Sequence, residues 1–163
     1  FEQNTKPVDF GLWQVEQIPV VHPMANYHAA VWVFTHKSGF KIAVSGAAVF
    51  DSVSRKALVK KLSRVDLFIQ SAIAPAIINP TFAGRFTFDD AVQLGVDLNA
   101  GQVILNGFHP MLSDSDLAQA ESDLVTKWES KDSVSRVSLA KEPKPITLSL
   151  PVEETTNFTK KVS

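Results

Sequence analysis

Apolar and polar positions change period along this chain, and the changes separate strands from helices. Over residues 27–36, Ala30, Trp32 and Phe34 fall on one side of an extended segment and Ala29, Val31 and Val33 on the other. That pattern predicts a central strand with both faces covered. Lys37, Ser38 and Gly39 supply a short polar turn, after which Phe40, Ile42 and Val44 alternate with Lys41, Ala43 and Ser45. The two runs therefore predict an antiparallel hairpin. Residues 12–21, rich in Trp, Val and Ile and containing Pro19, predict an edge-type strand. Gly46, Ala47 and Ala48 leave little side chain beyond the hairpin, as a bulge or a closely packed helix would require.

A helical period follows. Asp51 or Ser52 offers an N-cap, and Leu58, Leu62, Val65, Ile69 and Ala72 recur at i+3 and i+4 spacing up to Pro75. This predicts one long amphipathic helix, ended by the proline. A second helix is predicted from Ser113, with Asp116 in the capping-box position and Leu117, Leu124, Val125 and Trp128 in one stripe. Between them, residues 85–88 and 103–105 read as short strands, and Asp89 as the cap of a brief helix through Leu94. Residues 134–139 and 146–152 predict two further strands. Together these elements predict an α+β fold, a mainly antiparallel sheet with two principal amphipathic helices packed on it. Residues 1–163 are read as one domain with extended arms at 1–10 and 153–163.

Composition narrows the function classes. Hydrophobic residues make up 45% and charged residues 20% of 163 positions, which suits one globular core. The longest apolar stretches, 29–34 and 72–78, fall well short of the roughly 20 residues that a membrane-spanning helix needs, so no membrane span is expected. A net charge of −1 argues against a domain that neutralises many phosphates, while leaving room for a local basic patch. The absence of cysteine excludes disulfides, thiol catalysis and thiolate-ligated metals. The chain opens on Phe1 instead of methionine, which suggests processing or a trimmed start. One glycosylation-type triplet occurs, Asn157-Phe158-Thr159, as such triplets often do by chance.

Candidate chemistry concentrates on the first predicted helix. Lys56, Lys60 and Arg64 form an i, i+4, i+8 row opposite the leucines, flanked by Arg55 and Lys61, and such a row suits phosphates or an acidic partner. A solvated face is the plain alternative. The histidines His22, His28, His36 and His109 do not show ligand spacing: His28 and His36 share a strand face but stand about 26 Å apart. Asp97-x-Asn99-x-Gly101 fails as a calcium loop, with Phe108 in the position of the bidentate glutamate. Asp89 and Asp90 are explained by helix capping. Ser45 lacks the flanking glycines of a nucleophile elbow, since Ala43 and Ala47 stand there. No phosphate loop or dinucleotide fingerprint occurs. No catalytic residue, metal site or cofactor is therefore expected from motifs.

Eleven phenylalanines against one tyrosine favour core and protein contact over polar recognition. The expected function is accordingly a non-catalytic structural or protein-interaction subunit, with protein partners or self-association, such as a processed coat, shell or virion component. The alternatives are an anion, nucleic-acid or small-ligand binding module using the basic helix face, and an enzyme whose histidine and carboxylate groups are assembled by folding.

Overall fold

The structure is a computed structural model that describes residues 6–21, 28–48, 50–62, 64–75, 86–129, 134 and 136–140. Its elements run β1 (Val8–Phe10), β2 (Trp13–Val21), β3 (His28–His36), β4 (Lys41–Gly46), α1 (Ser52–Lys61), β5 (Val65–Ser71), α2 (Phe88–Asp97), β6 (Ala100–Asn106), α3 (Asp114–Trp128) and β7 (Arg136–Leu139). The strands form one seven-stranded sheet in sequence order. β1 to β4 pair antiparallel, as consecutive hairpins do, whereas β4 to β7 pair parallel, each step crossing over through one helix.

This corrects the mainly antiparallel fold expected from sequence. The segment after Asp51 is not one helix to Pro75: α1 stops at Lys61, and Val65–Ser71 forms β5 at the centre of the parallel half. The physical reason lies in Val65, Leu67, Phe68 and Ile69, which are nearly contiguous and largely β-branched or aromatic. A strand buried on both faces loses the alternation that identifies a half-exposed one. Val65, Leu67, Phe68 and Gln70 are all buried. The helical spacing of Leu58 and Leu62 therefore ran by coincidence into Val65, Ile69 and Ala72. The addition of α2 gives three helices instead of two principal ones among the described residues.

Two smaller expectations also change: residues 12–21 hold β2, an internal strand between β1 and β3 instead of an edge, and Phe88, expected in a strand over 85–88, begins α2. The residues 27–50 hairpin is β3 paired antiparallel with β4. Asp51 caps α1 by accepting the Ser54 N–H at 2.6 Å, which draws its carboxyl below the usual carboxylate range. Ser113 and Asp116 complete the capping box of α3, and the same hydrogen bonds lower the Asp116 carboxyl. Thr87, however, caps α2 in place of Asp89. The strand expected at 146–152 and the arm at 153–163 lie outside the described residues.

A sequential sheet order with parallel crossovers of one hand puts all the helices on one face. The core confirms this placement: Ile18, Val31, Ala43, Phe68, Val103, Leu105 and Val137 from alternating strand positions meet Leu58, Val92 and Leu124 from the helices. The opposite face is apolar as well, carrying Trp32, Phe34, Ile42, Val44, Leu67, Ile69 and Ile104 by the same register.

Close docking of α2 depends on Gly95, which is buried. A Cβ at this position would lie 2.4 Å from Cγ2 of Val103 and 3.5 Å from the Phe68 ring. Valine is stiff at χ1, so relief requires the helix to move. Gly95→Ala is expected to destabilise the protein by about 1–3 kcal/mol despite alanine's better helix propensity. Chemical denaturation checks this, and Gly95→Ala/Val103→Ala should lose less than the two single changes added together.

Candidate functional site

In open α/β sheets the carboxyl ends of parallel strands leave a crevice where connecting loops diverge, and ligands bind there. Here those ends are Gly46 of β4, Ser71 of β5 and Asn106 of β6. Between them lies a cavity of about 120 Å³ lined by Ala47, Ser71, Ala72, Ile73, Phe86 and Gly107. That is room for about four water-sized volumes.

Backbone hydrogen bonds hold the rim after the strands end. Ala72 N donates to Asn106 O at 2.9 Å, Ile73 N to Phe86 O at 3.0 Å, and His109 N to Ile73 O at 2.8 Å. The β4–β5 seam is different, because the pairing register shifts between Val44 and Gly46, and Gly46 turns to a φ of +56°. At this irregularity the Gly46 carbonyl takes a side-chain donor. The fully buried Gln70 supplies it: its Nε2 donates to Gly46 O at 2.9 Å and to Ser71 O at 2.8 Å, while its Oε1 accepts the Ser45 hydroxyl. One carboxamide thus ties the ends of two strands together.

On the crevice wall stands Ser71, the register partner of Asn106, and its hydroxyl donates to Asn106 Oδ1 at 2.7 Å. Gly107, at φ +69°, leaves space beside them, since a Cβ there would lie 3.0 Å from Ser71 Oγ. A serine hydroxyl can both donate and accept, so the described lining residues offer neutral hydrogen bonding.

The basic residues singled out by sequence are not brought together as one row. Arg55 pairs with Asp97 at 2.6 Å and Lys61 with Glu16 at 2.5 Å. Lys56 and Lys60 remain exposed on α1, while Arg64 is exposed beyond the end of that helix. Arg64 instead borders a separate hollow of about 300 Å³ with Ser38, Gly39, Phe40, Lys41 and Asp66. Among the histidines, His36 Nδ1 lies 2.8 Å from Ser38 Oγ and its ring meets Trp13 edge-on; His109 Nδ1 accepts the Met111 N–H at 3.2 Å. His22 lies outside the described residues. Asp89 pairs with Lys127 and accepts from Trp128 Nε1, and Asp90 accepts the Thr87 hydroxyl, so neither carboxylate faces the other as a catalytic pair. Sequence reasoning missed the crevice, because its lining comes as small residues from separate loops. The one available signal was the Gly46-Ala47-Ala48 run.

No protein-family model and no curated protein matches the chain. Solved structures do share its fold. The metallo-beta-lactamase fold protein YhfI from Bacillus subtilis superposes with a TM-score of 0.61 at 17% identity, over 85% of this chain and 51% of that one. Human tRNase Z, short form, gives 0.55 at 17% identity, over 89% and 46%. The isothiocyanate hydrolase from Delia radicum gut bacteria gives 0.60 at 15% identity, over 88% and 57%. This chain therefore spans about half the length of the solved structures it matches. The fold is that of metallo-β-lactamase-like α/β proteins, shared with solved hydrolases, and this overturns the expectation of a non-catalytic structural coat, shell or virion subunit drawn from the phenylalanine content.

Such a fold implies a divalent metal, and the residues present do not fit one. Zinc takes imidazole, thiolate or carboxylate ligands, and magnesium or calcium takes carboxylate-rich oxygen sets. The described residues of the crevice lining include none of these groups, and among the described residues no three His, Cys, Asp or Glu side chains stand together as a metal site. Among the described residues, too, no helix is long and apolar enough to cross a membrane.

Because Gln70 serves the Ser45 hydroxyl and the Gly46, Ala48 and Ser71 carbonyls, with Gly46 and Ser71 the nearer of the three, Gln70→Leu should cost about 2–4 kcal/mol by removing their shared partner. Ser45→Ala/Gln70→Leu removes one of those orphans and should recover about 1 kcal/mol of the loss. Urea denaturation of the single and double variants reads the difference.

Proposed function

We propose that this chain forms part of a hydrolase, contributing the floor and one wall of a small-substrate site at the carboxyl ends of β4, β5 and β6. The observation that carries this reading is the crevice itself, which occupies the ligand-binding position of an open α/β sheet in a fold shared with hydrolases. The chain's own contribution is binding and orientation. Ala72, Ile73 and Phe86 exclude water from one side, while Ser71, held by Asn106, presents a hydrogen-bonding hydroxyl on the other. Gln70 holds the strand ends at a fixed spacing, so the wall is formed before a substrate arrives. No step is assigned to a metal, since the donor set does not fit one.

Turnover of p-nitrophenyl acetate, bis-p-nitrophenyl phosphate and benzyl isothiocyanate by the purified protein tests the reading. Ala47 is exposed on the crevice rim, so Ala47→Trp fills the cavity without disturbing the core. It should lower kcat/KM at least about tenfold with an unchanged melting temperature. Absence of turnover on all three substrates, or an Ala47→Trp variant as active as the parent, would refute it.

A second reading keeps the surviving cations as an anion-contact surface. It is favoured by the exposure of Lys56, Lys60 and Arg64, which form no salt bridge among the described residues. Neutralising about three phosphates would make oligonucleotide affinity fall with a log–log salt slope of about −2 to −3. Lys56→Ala/Lys60→Ala/Arg64→Ala should abolish the shift in an electrophoretic assay at low salt. A parent protein that shifts no oligonucleotide there removes this reading.

A further inference from the structure

The hollow of about 300 Å³ bordered by Arg64 lies at the opposite end of the sheet from the crevice, where the parallel strands β4 and β5 begin. We infer that it binds a small phosphate monoester carrying a hydroxyl, with Lys41 and Arg64 taking the phosphate and Asp66 taking the hydroxyl. None of these residues lines the crevice, so the inference stands apart from the hydrolase reading.

Parallel pairing starts both strands at this end and brings Lys41 and Asp66 together from positions 25 residues apart. Asp66 Oδ2 accepts the backbone N–H of Lys41 at 2.7 Å, a contact that leaves the lysine ammonium out. Arg55, Lys61 and Lys127 are each held in a salt bridge, whereas neither Lys41 nor Arg64 forms one among the described residues. Two such cations beside one carboxylate that is already hydrogen bonded favour an anion. The arginine fork matches phosphate oxygens, and the ammonium adds a point charge.

The walls are set before a ligand arrives. His36 Nδ1 accepts the Ser38 N–H at 3.1 Å and lies 2.8 Å from Ser38 Oγ, while Gly39 N donates to His36 O at 2.8 Å, so the turn before β4 is pinned. On the β5 side, Gly101 lets β6 close in, since a Cβ there would lie 3.0 Å from Asp66 O. Asp66 also selects the ligand class. A carboxylate can only accept, so a bare phosphate would set its charge against Asp66 and bring it no donor; a hydroxyl a few atoms from the phosphate supplies that donor. The volume stands at the lower end of small-ligand pockets, which suits a phosphate on a short polyol.

Titration of the intact chain with glycerol 3-phosphate, followed in ¹⁵N–¹H spectra, tests this. The Gly39, Lys41 and Asp66 amides should shift saturably, and inorganic phosphate should bind at least about fivefold more weakly. Lys41→Met and Arg64→Met, which keep an apolar stem, should each weaken binding at least about tenfold at an unchanged melting temperature. Asp66→Asn keeps an oxygen for the Lys41 N–H and should bring glycerol 3-phosphate and inorganic phosphate to within about twofold of each other. Lys56→Ala/Lys60→Ala should leave the affinity within about twofold, which separates this hollow from the exposed face of α1. No saturable shift, equal affinity for inorganic phosphate in the parent, binding that survives both methionine changes, or a loss in Lys56→Ala/Lys60→Ala as large as theirs would overturn the inference. The readout needs no turnover, so an inactive protein that passes it would sink the hydrolase reading alone.

Discussion

The carboxamide of Gln70 is the constraint on which the parallel half of this sheet depends. β4 is the strand where antiparallel pairing gives way to parallel pairing, and its ladder to β5 shifts register between Val44 and Gly46. A net hydrogen bond contributes only about 0.5–1.5 kcal/mol, but an orphaned buried polar group costs about 1–3 kcal/mol. Gln70 is fully buried and serves Ser45, Gly46 and Ser71 together. Its removal would therefore expose the sheet to several unsatisfied groups at the point where the crevice opens. Stability and site geometry share this one side chain.

Much of the architecture was legible where a single face is buried or a cap is explicit. The β3–β4 hairpin and α3 follow from alternation, a turn glycine and the Ser113–Asp116 capping box, and β2 from its Trp, Val and Ile content, though not as the edge strand that Pro19 suggested. β5 was not legible, because Val65, Leu67, Phe68 and Ile69 serve both faces of a sheet and carry no period of two. Their spacing from Leu58 and Leu62 imitates a helix, and only the intervening break separates the two. The error propagated: a helix through Arg64 aligns it with Lys56 and Lys60, whereas a strand from Val65 sends it toward Lys41 and Asp66. α2 was shortened for a related reason, since Gly95 weakens the local helical signal while enabling the close approach to Val103.

The crevice escaped sequence reasoning on different grounds. Its lining consists of alanines, a glycine, a serine, an isoleucine and a phenylalanine drawn from the ends of separate elements. Motifs record chemistry that needs several special side chains at fixed spacing, such as ligand clusters or phosphate loops. A site made by removing side chains leaves no such trace. Gly46-Ala47-Ala48 signalled reduced volume after β4, but only the paired ends of β5 and β6 turn that reduction into a cavity.

Charge has a separate task in this molecule. Arg55–Asp97 joins α1 to α2, Lys61–Glu16 joins α1 to β2, and Lys127–Asp89 joins α3 to α2. All six side chains are partly exposed, so each pair contributes at most about 1 kcal/mol, far less than the apolar face the helices bury. The pairs instead fix which helix sits beside which, because a displaced helix would set its charge against water or a like neighbour. With these titratable groups engaged around the helical layer, the crevice at the strand ends is left to shape and neutral hydrogen bonding. Among the described lining residues, the space between Phe86 and Gly107 is bounded by small and apolar side chains and the Ser71 hydroxyl.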